Sequence, residues 1–449
     1  MKNHWRNWLE SRTGLPGLLR HFLLEPVPKR LGWAFCLGSM LLFLVAVQVA
    51  TGLVLMLGYA PTPDHAYQSV QSFSAAVPFG RLVRGLHHWS ASAMVLLIVL
   101  HMLRVIFWGS YKRPREATWI VGVLLLLVVL AFSFTGYLLP WDQRAYWATV
   151  VGTRIAGTVP WIGDALVHIL RGGAEVGAPT LSRFFAAHVA LLPLLLFGFT
   201  GLHLFLLRRH GSSGHWSLVE GFPVEKEPFY PRQFWRDMIA ALVLLATLFA
   251  LAIFAPPELG PVADPADTQA VPRPEWYFLA FFQILHYFTG RAEIAGTLLI
   301  PALLVALLLL LPWLDRGIQR NPFRRPWVCG GVLCLALVAG AFTLIPVLDD
   351  LRDQRARARV DRIIPALSPP LRAGRGIYER QSCDLCHGID GSGRPSGPTL
   401  FGMAKRRSAA YTAAHIRDPQ QHNARSKMPK TPLDDTEMEL LVNYLCTLK

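Results

Sequence analysis

Cys383-Asp384-Leu385-Cys386-His387 spells C-x-x-C-H, in which two thiols form thioethers to the vinyl groups of a c-type haem and the histidine ligates iron. A zinc half-site or a redox C-x-x-C pair is the alternative reading, but no second Cys or His pair of zinc spacing follows. Such a haem is often completed by a methionine, which raises its potential. Met428, in Lys427-Met428-Pro429, is the expected sixth ligand; Met403, 16 residues past His387, is expected to pack the core.

A second set of ligands lies in apolar surroundings. His87 and His101 stand 14 residues apart and His188 and His203 stand 15 apart. At about 100° per residue these steps return to within about 40° and about 60° of the starting face, and they rise roughly 21–22 Å. Two helices so marked would clamp two haems, one near each membrane surface. His88 falls about 140° off the face that His101 shares. Gly38 and Gly52, and Gly122 and Gly136, repeat the 14-residue step and would let flat macrocycles approach the backbone at the same two depths. Four unrelated bundle histidines, and glycines that merely permit close helix packing, are the alternative.

The elements that must position these residues are membrane spans. Of 449 residues, 53% are hydrophobic and 16% charged, with a net charge of +15; a soluble globular enzyme, a disordered tail and a collagen-like rod are excluded. Apolar runs at 33–58, 86–108, 118–139, 184–207, 237–255, 292–313 and 327–347 are each long enough to cross a bilayer, giving seven spans. The fold class is therefore all-α: a seven-helix transmembrane bundle with a four-helix di-haem core, followed by a small all-α domain.

Charge orders the connectors. The N-terminal arm and the second, fourth and sixth connectors are rich in Lys and Arg and are expected in the cytoplasm; the alternate ones, notably 256–274, are not. An odd number of spans then puts the C-terminal domain outside, where haem attachment takes place. Met1 to Lys29 is charged and amphipathic, carries Trp5, Trp8 and Leu9, and is not expected to be cleaved as a signal peptide. The expected organisation is a surface segment at 1–30, a di-haem four-helix domain at 31–210, a three-helix domain at 211–347, a charged linker at 348–370 and a cytochrome c domain at 371–449.

With Arg84-Gly85-Leu86-His87, Trp89-Ser90-Ala91-Ser92-Ala93-Met94, Gly136-Tyr137-Leu138-Leu139-Pro140-Trp141-Asp142-Gln143 and Pro274-Glu275-Trp276-Tyr277, residues 20–347 resemble cytochrome b of the cytochrome bc complexes. The 15-residue step and the seven spans resemble the cytochrome b6 plus subunit IV form. Here both halves share one chain, and the fused cytochrome c domain departs from the b6f pattern. The resemblance implies a quinol oxidation site on the outward side, built from the loop after the third span and the Pro-Glu-Trp-Tyr segment. In it Glu275 would accept a quinol proton and Tyr277 would position the ring. It also implies that Cys36 holds an additional haem through one thioether, beside the cytoplasmic-side b haem; a lone membrane cysteine is otherwise a small buried hydrophobe. Cys329, Cys334 and Cys446 read as structural.

The expected function is thus a bifurcating quinol:cytochrome c oxidoreductase subunit of a bacterial inner membrane. One electron would go to an iron–sulfur partner and a c-type haem. The other would cross by the outward b haem (His87, His188) and the cytoplasmic-side b haem (His101, His203) to a second quinone, with protons translocated. No Rieske ligand pattern is present in the sequence, so a Rieske iron–sulfur protein is an expected partner. A soluble or oxidase-bound cytochrome c acceptor, the lipid membrane and a second copy in a homodimer complete the set; nucleic acid is not expected. A cytochrome b anchor that relays electrons between a dehydrogenase and the quinone pool is the alternative, without use for the Pro-Glu-Trp-Tyr loop, and a transporter with a fused sensor domain has no use for paired histidine spacing.

Overall fold

The computed structural model describes residues 2–29, 31–214, 225–267, 274–363, 368–383, 386–389, 397–422, 426 and 428–448. Among the described residues seven helices are long and apolar enough to cross a membrane: Trp33–Leu57, Gly80–Phe107, Glu116–Leu138, Ala178–His210, Arg232–Phe254, Ala295–Leu314 and Pro326–Asp349. They match the seven apolar runs, and the second and fourth begin six residues earlier than hydropathy suggests. Gly80-Arg81-Leu82-Val83-Arg84 and Ala178-Pro179-Thr180 are polar enough to leave the apolar pattern while still continuing a helix. Among the described residues the only paired strands are Pro26–Pro28 and Lys226–Pro228, antiparallel with Val27 opposite Glu227.

The chain divides into two compact units, one ending at Thr343 and the other holding Leu344 to Lys449 together with Asp267 to Gln269. In the first, the core is a run of apolar side chains including Leu44, Met94, Ile98, Val123, Val129, Leu196 and Leu248, drawn from the first five spans. Aliphatic faces meeting inside a bundle give close packing in place of lipid.

Even and odd connectors gather at opposite ends of this unit. At the basic end, Arg115 donates to the His210 and Gly211 carbonyls at 2.7 and 3.1 Å, and Arg320 to the Gly109 and Arg113 carbonyls at 3.3 and 3.1 Å. Lys112 donates to Asp315 at 2.7 Å, Arg325 to the same carboxylate at 3.1 Å, and the Tyr111 hydroxyl bonds it as well. The three charged side chains are 4–10% exposed, so the single carboxylate holds two buried cations, and burial still pushes the Lys112 ammonium below its ordinary value. This cluster fastens the second connector to the sixth.

At the other end, the Tyr59 hydroxyl donates to the Leu139 carbonyl at 2.7 Å and Tyr67 to Gly260 at 2.9 Å. Arg84 bonds the Pro257 carbonyl, and the Trp89 indole donates to Ala255 at 2.8 Å. First, third and fifth connectors are thereby joined.

In the second unit, helices Pro369–Arg380, Ala409–Arg417, Pro419–His422 and Asp435–Thr447 surround a core of Ile377, Tyr378, Met403, Ile416, Met438 and Leu441. The first and last of them cross closely, with Tyr378 and Tyr444 ring centroids 5.8 Å apart; a Cβ at Gly374 would run into the Leu440 backbone. The region read as a linker is helical for most of its length, because the seventh helix continues to Ile363. Its run Asp349-Asp350-Leu351-Arg352-Asp353-Gln354-Arg355 lacks glycine and proline and alternates charges at helical spacing. Residues 364–367 lie outside the described residues.

Candidate functional site

The structure brings the four span histidines together in two pairs and sets one of the four glycines against each. His87 faces His188 with ring centroids 6.4 Å apart, and His203 stands close enough to His101 to act on it electrostatically. A Cβ at Gly52 would stand 3.3 Å from Cε1 of His87, at Gly136 2.5 Å from that of His188, at Gly122 3.4 Å from that of His203 and at Gly38 3.8 Å from that of His101. The 14-residue glycine steps in the first and third spans thus run at the same two depths as the histidine steps in the second and fourth. His88 turns aside, edge-on to Trp89 at 5.2 Å.

Two threonines settle which ring nitrogen is free. Thr51 Oγ1 donates its proton to the Val47 carbonyl at 2.7 Å and lies 2.9 Å from Nδ1 of His87. Thr135 Oγ1 donates to the Ala131 carbonyl at 2.8 Å and lies 3.1 Å from Nδ1 of His188. A hydroxyl has one proton, so each can only accept from the ring; Nδ1 carries the hydrogen and Nε2 keeps a lone pair for a metal. A metal–nitrogen bond of about 2 Å on each side, with roughly 1.1 Å from nitrogen to ring centre, would span about 6.2 Å between centroids, close to the 6.4 Å of the pair. Nδ1 of His101 is buried with no hydrogen-bond partner among the described residues. The donor set fits bis-histidine haem.

Sequence reasoning missed these threonines, although a signal was there. Thr51-Gly52 and Thr135-Gly136 are the same dipeptide in the first and third spans, one residue for the ring nitrogen and the next for close approach.

In the second unit, His387 Nδ1 lies 2.8 Å from the Pro398 carbonyl, which again fixes the hydrogen on Nδ1 and leaves Nε2 free. A Cβ at Gly397 would stand 2.8 Å from Cε1 of His387, so this loop hugs the imidazole. Cys386 is exposed and Cys383 half-buried; Asp384 and Leu385 of the motif lie outside the described residues. Met428 packs at the edge of the core whereas Met403 is inside it; Lys427 is outside the described residues.

The loop after the third span is stitched to the fifth connector. Asp142 caps helix Gln143–Gly157 by accepting from Ala145 N at 2.8 Å, and its other oxygen accepts from Gly260 N at 3.2 Å. Gln143 N donates to Pro261 at 2.8 Å and Ala263 N to Trp141 at 3.1 Å. Glu275 opens helix Trp276–Tyr287 without using its carboxylate as a cap, and that carboxylate lies in the field of Arg144 and Asp142. Burial raises its pKa above the ordinary carboxylate value; Arg144 opposes the rise and Asp142 adds to it. Tyr277 hydrogen-bonds Ser133 of the third span, and burial, then Glu275, push its phenol up. His286 lies edge-on to Tyr287 at 6.1 Å.

Cys36 is buried, 1% exposed, at the start of the first span. Gln233 Nε2 reaches its Sγ at 3.7 Å and donates to Asp237 at 2.8 Å, which also accepts from Ser39 at 2.8 Å. A thioether at this sulfur would require Gln233 to swing aside. Cys329, also buried, receives the Arg325 guanidinium at 3.3 Å.

Three family models match successive parts of the chain: cytochrome b/b6/petB over residues 23–211, cytochrome b(C-terminal)/b6/petD over 262–347 and cytochrome c over 371–449. Cytochrome b of Rickettsia conorii is 36% identical over 71% of this chain and 80% of its own length. Cytochrome b6 of Heliobacterium mobile is 46% identical over 46% of this chain and 98% of its own. The chain spans 50% of the length of the cytochrome b/c1 of Bradyrhizobium diazoefficiens, at 35% identity. A solved chain titled hyperthermophilic respiratory Complex III superposes with a TM-score of 0.69 at 32% identity, covering 75% of this chain and 90% of that one. The chain belongs to the cytochrome b/b6 family, as a cytochrome b of the bc-complex type carrying a cytochrome c domain behind it.

Proposed function

We propose that this chain is the quinol-oxidising cytochrome b–c subunit of a bc-type complex in a bacterial inner membrane, with its basic end in the cytoplasm and its cytochrome c domain outside. The observation that carries the reading is the pair His87 and His188, 6.4 Å apart with both Nδ1 hydrogens held by threonine oxygens. His87 with His188 and His101 with His203 would hold two b-type haems; Cys383, Cys386, His387 and Met428 would hold one c-type haem. Gly38, Gly52, Gly122 and Gly136 would leave room for the macrocycles. On resemblance alone, Cys36 would anchor a further haem. These groups supply one-electron transfer along two branches, one across the membrane and one to the outside.

What the chain itself contributes is binding and proton handling. Quinol would enter between the loop after the third span and the Pro274-Glu275-Trp276-Tyr277 segment. Glu275 accepts a hydroxyl proton, a task for which a raised carboxylate is suited because its affinity for the proton approaches that of the surroundings. Tyr277, tied to Ser133, orients the ring, while Arg144 partly offsets the rise that burial imposes on the carboxylate. One electron passes to a Rieske iron–sulfur partner and onward to the c domain and a cytochrome c acceptor. The other crosses to a quinone at the cytoplasmic end, so that protons are released outside and taken up inside. A homodimer is the expected assembly. The test is quinol added to the purified assembly, with b-type and c-type absorbance followed separately. Parallel reduction of both supports bifurcation; reduction of b-type absorbance alone, with an oxidised iron–sulfur partner present, refutes it.

A further inference from the structure

Fifteen steps of a regular helix overshoot whole turns by about 60°, whereas the 14 steps of the second span fall about 40° short. A regular fourth span would therefore carry one of its two histidines about 100° out of register with its partner across the bundle. The fourth span is not regular. Residues Ala187–Leu191 form a π-turn, with Leu192 N–H donating to the Ala187 carbonyl five residues back. Such a turn absorbs one residue, so that 15 steps behave as 14.

The cause stands two residues further on. Pro193 has no N–H for the Val189 carbonyl, and its ring would collide with that carbonyl in a regular turn. The sixth span repeats the arrangement independently: a π-turn at Ala295–Leu299, Ile300 N–H donating to Ala295, and Pro301 next. We infer that Pro193 is a positioning residue, holding the wide turn that rotates His188 to face His87 and to meet Thr135 at 3.1 Å. The inference rests on the reading of His188 as a haem ligand. In a regular turn the ring would swing away from the Thr135 hydroxyl and from Gly136.

The test uses three variants of the full chain, assembled in membranes, with b haem counted by pyridine haemochrome and each b haem distinguished by its low-temperature electron paramagnetic resonance signal. Pro193→Ala is expected to lose or shift the signal of the His87–His188 haem and keep that of the other. Deletion of Leu191 with Pro193 retained is expected to do the same, since the step becomes too short. The two changes combined leave a regular helix with a 14-residue step, and both wild-type signals are expected to return. Wild-type signals in Pro193→Ala overturn the inference, as does a combined variant that remains defective. Should Pro193→Ala fail to assemble, recovery in the combined variant supports the inference and its absence overturns it. The ligand reading fails separately: His188→Ala retaining both b haem signals would refute it whatever Pro193 does.

Discussion

Replacing Glu275 by Gln keeps the size of the side chain and removes its ability to accept a proton. Positioned proton transfer contributes about 10²–10⁴ in rate, or roughly 3–5 kcal/mol of barrier at 1.36 kcal/mol per tenfold, and Glu275→Gln is expected to lose quinol oxidation within that range. With Glu275 as the proposed proton acceptor, the direction of its shift predicts the shape of the pH profile. Burial raises the Glu275 pKa, so in wild type the rate rises with pH through a limb lying above the ordinary carboxylate value of 4.5. The ionised form is the competent one, and protonation at lower pH blocks it. Among the described residues Arg144 is the cation that acts to lower that pKa, and Asp142 acts to raise it. Arg144→Gln therefore moves the limb to higher pH and Asp142→Asn moves it to lower pH, while Glu275→Gln abolishes it. The assay is steady-state quinol oxidation by the assembled complex with a cytochrome c acceptor, from weakly acidic to neutral pH. A Glu275→Gln enzyme with the wild-type rate and limb, or an Arg144→Gln limb displaced toward acid, would refute the reasoning.

Thr135→Val removes the oxygen that holds Nδ1–H of His188. Loss of such an outer partner typically costs 10–100-fold in metal affinity, about 1.4–2.7 kcal/mol, so one b haem should become easier to extract and shift in midpoint potential, with the other unmoved in a redox titration. Asp315→Asn strands Lys112 and Arg325, which are 7% and 4% exposed. An uncompensated buried charge costs about 3–5 kcal/mol, to be seen as earlier thermal loss of the b haem spectrum. Cys36→Ala is expected to remove one covalently held haem from the membrane unit while the Cys383/Cys386 haem remains. An unchanged covalent count makes Cys36 the buried thiol under Gln233 and nothing more.

The seven spans were legible because apolar runs of membrane length have few competing explanations, and the pairing of the four histidines because a matched helical step in two helices is hard to produce by packing alone. Helix periodicity nevertheless gave the fourth span an offset of about 60° where the π-turn at Ala187–Leu191 removes it; a hydrogen-bond shift of one residue leaves no trace in hydropathy, and Pro193 was its only mark. Thr51 and Thr135 escaped because a threonine in a helix ordinarily bonds its own preceding turn, which these do as well. Asp142 and Arg144 lie 133 and 131 residues from Glu275; the resemblance put their loop beside the Pro-Glu-Trp-Tyr segment, but no local pattern marks these two charges as the ones that act on Glu275. The segment at 348–370 was read as a charged linker, yet alternating charge on helix-forming residues continues a helix already begun at Pro326.

The most direct test of the central claim is a pyridine haemochrome spectrum of the fully loaded, purified chain before and after acid-acetone extraction, which separates b haem from covalently held haem. The account predicts two extractable b haems per chain, with the haem of Cys383 and Cys386 left behind in the protein. Fewer than two extractable b haems would contradict a path across the membrane through His87, His188, His101 and His203, and the bifurcating mechanism would fall with it.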